Sequence, residues 1–128
     1  MNSRNKGKRG ELELARTLSS YGYECRRGVQ YHGGQDSPDV TGLPHIHIEC
    51  KRIAERLDID KAWSQSVGDA GSDIPTVMYR KDHADWMVLM RLSDWIELYR
   101  EWEAGHDSER SEENHQAVSS DTKRNSVD

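Results

Sequence analysis

Ile46-His47-Ile48-Glu49-Cys50-Lys51 is the stretch whose reading decides the fold. Apolar and polar side chains alternate along it, and successive side chains of a strand point to opposite faces. Ile46, Ile48 and Cys50 therefore turn into a core, and Glu49 and Lys51 stand on the other face about 7 Å apart. Upstream, Gly42-Leu43-Pro44 is a turn after a short extended Asp39-Val40-Thr41, and Tyr31 to Pro38 reads as a Gly- and Pro-containing loop. Tyr23 to Val29 has strand character. Gly7 to Ser20 predicts a helix, with Leu12, Leu14, Ala15 and Leu18 at helical spacing and Gly22 just beyond its end. Downstream, Asp58 or Asp60 caps a helix to about Ala70 whose apolar side carries Trp63, Val67 and Ala70. Pro75 to Arg80 and Trp86 to Met90 form a hairpin around Lys81–Asp85, and Ser93 opens a last helix to about Trp102.

The expected order is thus α-β-β-β-α-β-β-α, which favours one sheet covered by helices, because each amphipathic helix must lay its apolar stripe on a sheet face. With 128 residues, 34% apolar and 32% charged, the chain has room for one domain and no apolar run able to span a bilayer. Residues 1–104 are expected to hold that domain. Residues 105–128, with three basic against six acidic residues and little apolar content, are expected to be a disordered acidic tail. Met1 to Arg9 is basic with no apolar segment behind it, so a cytosolic protein is expected. Cys25 and Cys50 lack disulfide or zinc spacing and read as reduced thiols.

The net charge of −5 conceals a basic front end, since residues 1–35 carry seven Lys/Arg against three Asp/Glu. If Asp39 lies on the strand beside Glu49, the two carboxylates can hold a hard divalent cation such as magnesium, which favours one or two carboxylates together with water and phosphate oxygens. Lys51 points to the same pocket and can orient an attacking water or offset charge building on a phosphate. In the first helix, Glu11 is in phase with Leu14, Ala15 and Leu18 and lies inward, where a charge needs a partner; Glu13 is in phase with Arg16, Thr17 and Ser20 and lies on the wet side.

Pro38-Asp39, nine intervening residues and Glu49-Cys50-Lys51, preceded by Lys6-Gly7-Lys8-Arg9-Gly10-Glu11-Leu12-Glu13-Leu14, resemble the PD-(D/E)xK nuclease superfamily, and within it the archaeal-type Holliday junction resolvases and their phage-borne relatives. The likeness spans residues 4–92, with a longer loop before Asp39 and extra residues after Lys51 as departures. It implies a restriction-endonuclease-like α/β fold, a mixed central sheet flanked by helices. Glu11, Asp39 and Glu49 would be metal-binding acids, joined by the Cys50 backbone carbonyl, and Lys51 the catalytic lysine, with Gln65 of the following helix near it. It further implies Mg2+, or Mn2+ in its place, a homodimer acting on branched DNA, and a phage or prophage gene as one origin, the protein then working in host cytoplasm.

Arg4, Lys6, Lys8, Arg9, Arg26, Arg27, Arg52, Arg80 and Lys81 are the candidates for the DNA path, gaining affinity by counterion release; without a base-reading motif, shape and backbone contact are expected to dominate. His32 and Ser37 in the loop read as exposed polar residues that could reach the backbone of DNA. A zinc cluster of His45, His47, Cys25 and Cys50 is a rival that strand alternation disfavours, since His47 and Cys50 face opposite ways. Trp95, Leu98, Tyr99 and Trp102 form a helical stripe suited first to core packing and second to a dimer interface. Alternatives to the resolvase reading are a flap, single-strand or general endonuclease, a non-catalytic DNA-binding module, and a regulatory protein using the acidic tail.

Overall fold

The computed structural model describes residues 3–28 and 38–116. Its elements are α1 (Ser3–Ser20), β1 (Arg26–Arg27), β2 (Val40–Thr41), β3 (Ile46–Ile53), α2 (Ile59–Ala70), β4 (Ile74–Lys81), β5 (Met87–Leu89) and α3 (Leu92–Gln116). This is the expected α-β-β-β-α-β-β-α order. The five strands form one sheet in the order β1-β2-β3-β4-β5. β3 and β4 are parallel and the other neighbouring pairs antiparallel, so the sheet is mixed. A parallel pair needs a crossover, and α2 supplies it.

β3 lies at the centre with a helix against each face. On one side Leu14 and Ala15 of α1 cluster with Val40, Ile48, Cys50 and Met78, of which Val40 and Ile48 are fully buried. α1 approaches closely because Gly10 has no side chain: a Cβ there would sit 2.6 Å from Arg52 Cγ. On the other side lies α2, begun by Asp58, whose Oδ1 accepts a hydrogen bond from the Lys61 amide. Its buried face is Ala62, Ser66 and Ala70, which corrects the expected Trp63–Val67 face. Small residues four apart let the helix backbone settle onto the sheet. Trp63 is half-buried, its ring 5.5 Å from the Arg91 guanidinium, and Val67 is exposed.

Several boundaries differ from the expected ones. Among the described residues the expected strand from Tyr23 to Val29 pairs in register at Arg26 and Arg27, with the Gly28 amide donating to the Asp39 carbonyl; Val29 and the loop with His32 and Ser37 lie outside the described residues. Gly42, at φ 126°, makes the turn before β3, where a Cβ would collide with the Glu24 carbonyl.

The chain divides into two units, one ending at Arg91 and one starting at Leu92. The second is built on α3, which continues to Gln116 where a disordered stretch was expected from residue 105; residues 117–128 lie outside the described part. Low hydrophobicity argued against burial there, but it does not forbid a helix. Residues 105–116 contain neither proline nor a β-branched side chain and extend a helix already nucleated. Trp95, Leu98 and Trp102, expected first in a core, are about half exposed, and Trp95 stacks on Tyr99 with 5.4 Å between ring centroids.

Candidate active site

The site grows from a fork between β2 and β3. Val40 pairs with Ile48, and the Asp39 amide donates to the Ile48 carbonyl at 2.9 Å, but β2 begins only at Val40. The Cys50 amide therefore has no backbone partner on that side. Asp39 Oδ2 accepts its hydrogen bond instead, at 2.8 Å. A buried amide must be satisfied, and here a carboxylate does it, fixing Asp39 against the strand that carries Glu49 and Lys51. Asp39 is 9% exposed and Glu49 3%.

Glu49 is the electrostatic centre. Its carboxyl lies within hydrogen-bonding reach of that of Asp39, and burial, then the Asp39 charge, raise its pKa to about 7 against the pull of Lys51. Its two oxygens face different neighbours. Oε2 is 3.9 Å from Lys51 Nζ and Oε1 is 3.8 Å from His47 Nε2. Lys51 also donates to Gln65 Oε1 at 2.9 Å, so α2 holds the ammonium group in place.

Glu11 reaches the same region from α1. Its carboxylate accepts from Arg27 Nε at 2.6 Å, and its pKa is raised by burial and by Asp39 despite the opposing pull of Arg27 and Lys51. Glu11, Asp39, Glu49, Lys51 and Gln65 are thus drawn to one end of β3. Among the described residues, however, the three side chains close enough to share one ion, with ligand atoms within 4.8 Å of one another, are His47, Glu49 and Asp69. Asp69 and the ligand capacity of His47 toward Glu49 escaped the sequence reading. The available signal was that 47, 49 and 51 share a face and that Gln65 and Asp69 are one helical turn apart.

The basic candidates divide. Lys8, Arg9, Arg26 and Lys81 are exposed, and the side chains of Arg4 and Lys6 lie outside the description. Arg27, Arg52 and Arg80 are engaged by acids: Arg27 by Glu11, Arg52 by Glu13 and Asp82 at 3.1 and 2.6 Å, and Arg80 by Glu13 at 3.1 Å. The zinc rival does not assemble. Cys50 packs in the α1-side core, and burial raises the pKa of its thiol, whereas His47 faces α2.

Residues 2–127 match a family model described as "Phage putative PDDEXK endonuclease". The chain belongs to this PD-(D/E)xK endonuclease family. Its structure is also similar to that of Hjc from Archaeoglobus fulgidus, a Holliday junction resolvase from an archaeal hyperthermophile, with a TM-score of 0.50 and 25% identity over 66% of this chain and 72% of that one. No curated protein sequence matches.

For this PD-(D/E)xK endonuclease the fold explains why the acids meet. The fork turns the Asp39 carboxylate onto the Cys50 amide, and so onto the strand that carries Glu49. Asp39 and Glu49 bring two carboxyl groups together beside one ammonium group. Two apposed carboxyls, one of them 3% exposed, are short of positive charge, and a hard divalent cation fits that deficit. No described helix is long and apolar enough to cross a membrane.

Proposed function

We propose that this nuclease is a divalent-metal-dependent DNA endonuclease that hydrolyses phosphodiester bonds in branched DNA, with Mg2+ its cofactor and Mn2+ able to replace it. The observation that carries the reading is the meeting of Asp39 and Glu49 with the Lys51 ammonium 3.9 Å from Glu49. Asp39, Glu49 and the Cys50 carbonyl would hold the ion, with Glu11 completing its surroundings. When bound, such an ion polarises the phosphate and lowers the pKa of water.

The protein's own groups do the positioning. The Cys50 amide fixes the Asp39 carboxylate. Gln65 accepts from Lys51 and aims its ammonium, which offsets negative charge growing on the phosphate or orients the attacking water. Lys8, Arg26 and Lys81 are exposed and able to approach backbone phosphates. The likeness to a Holliday junction resolvase supports a four-way junction as substrate, and its two symmetric cleavage points suit a two-fold homodimer.

The test is cleavage of end-labelled four-way, flap, single-stranded and linear DNA with Mg2+, with Mn2+ and with EDTA. The expected result is metal-dependent cutting, strongest on the four-way junction and absent in Asp39→Ala. Junction binding by wild type without cutting of any substrate would overturn the enzymatic reading. Equal cutting of linear DNA would overturn the preference for branches.

A further inference from the structure

The geometry points to a second cation site, formed by His47, Glu49 and Asp69 between β3 and α2, which takes a divalent transition-metal ion such as Mn2+ or Zn2+ in preference to Mg2+. His47 is 2% exposed, and its Nε2 is buried with no hydrogen-bond partner. That atom stands 3.8 Å from Glu49 Oε1, too far for a hydrogen bond. Asp69, one helical turn beyond Gln65 on α2, brings a carboxylate oxygen within 4.8 Å of both. Two ligands each about 2.1 Å from one ion sit roughly 3–4 Å apart. The 3.8 Å between His47 and Glu49 falls in that range, and Asp69 stands near enough to supply a third ligand.

The donor chemistry selects the ion. Imidazole nitrogen is a preferred ligand of zinc and other first-row transition metals, whereas magnesium seeks oxygen and keeps its waters. The Asp39 side of Glu49 offers oxygen only; the His47 side mixes one nitrogen with two carboxylates. Glu49 can serve both, because Oε1 faces His47 and Oε2 faces Lys51. The buried ion on the α2 side would also fix the carboxylate that the catalytic side uses.

Binding here does not depend on DNA cleavage, so the two readings fail separately. Full-length protein loaded with Mn2+ is examined by electron spin-echo envelope modulation, which detects nitrogen bound directly to the ion. Wild type is expected to show the 14N modulation of coordinated imidazole, His47→Gln to lose it, and Asp69→Asn to weaken Mn2+ binding at this site at least about tenfold, a difference of roughly 1.4 kcal/mol. Absence of the 14N signal in wild type, or its persistence in His47→Gln, overturns the site. If His47→Gln does not fold, unchanged Mn2+ affinity in Asp69→Asn does so. Asp39→Ala, expected to abolish cutting, should keep the 14N signal. A wild type that cuts no DNA yet shows that signal would sink the nuclease mechanism and leave this site standing.

Discussion

The two faces of β3 are equally buried and chemically opposite. Toward α1, Ile48 and Cys50 join Leu14, Val40 and Met78 in a sealed apolar cluster. Toward α2, His47 and Glu49 are 2% and 3% exposed, yet one has an unpartnered nitrogen and the other a carboxyl pressed against a second. Burial alone therefore does not separate core from site in this molecule. What separates them is unmet polarity, and substitutions on the two faces should fail in different ways. Lys51→Met is expected to lower junction cleavage by about 10²–10³-fold, the usual loss when a group that stabilises transition-state charge is removed, with little change in melting temperature. Ile48→Ala should do the reverse, costing about 2–5 kcal/mol of stability by opening a cavity, with cleavage per folded molecule retained. Single-turnover rates and urea unfolding on both variants measure the contrast, and a Lys51→Met protein that cuts normally would erase it.

Glu49 sharpens the comparison through pH. Its folded pKa of about 7 lies above the ordinary 4.5, so the metal-free folded state keeps a proton that the unfolded chain releases. Its contribution to stability is fully present below about pH 4.5 and falls as pH rises to about 7. Glu49→Gln removes that loss and should stabilise the metal-free protein at pH 8 by roughly 2–3 kcal/mol, while the difference fades near pH 4. Urea unfolding in EDTA at both pH values checks it. Cation binding runs the other way, because ionised Glu49 is what an ion needs, so Mn2+ affinity should climb as pH passes 7. A variant no more stable than wild type at pH 8 would mean that Glu49 ionises in the metal-free folded protein as readily as in the unfolded chain.

How much of this could be read from the chain differs from element to element, for physical reasons. Period-two alternation in Ile46–Lys51 announced both faces of β3, and the Asp39 spacing placed a second acid beside Glu49, because a turn leaves the chain little choice but to return along the strand. The family resemblance supplied the mixed sheet and Gln65. The buried face of α2 was misread because hydrophobicity favours Trp63 and Val67, whereas close packing against the sheet selects Ala62, Ser66 and Ala70. Asp69 went unseen for another reason: it shares the side of α2 that carries Gln65, but its approach to His47 is a contact between helix and strand that neither period reveals. Arg27, Arg52 and Arg80 looked like a phosphate path, but the acids that hold them are 16 to 67 positions away in sequence, and such pairs leave no periodic trace. The length of α3 was hidden by a composition that reports on burial and says nothing against a solvated helix.

The smallest expected effect separates the two glutamates of α1. Glu11, with its side chain 15% exposed, turns toward Asp39 and Lys51 and is held by Arg27; Glu13, at 36%, bridges Arg52 and Arg80. Half-exposed ion pairs contribute little, since water and salt screen them and long side chains lose freedom in forming them. Glu13→Gln should therefore cost under about 1 kcal/mol, a deficit that shrinks in high salt. Arg52 keeps its bond to Asp82, so the local structure survives. Cleavage at saturating DNA should stay within about twofold of wild type, because no charge near Glu49 has changed. Glu11→Gln, two residues away on the same helix, should instead slow cleavage clearly. Equal rates for the two variants would show that helical phase does not decide which acid serves the site, and Glu11 would then be only the anchor of Arg27.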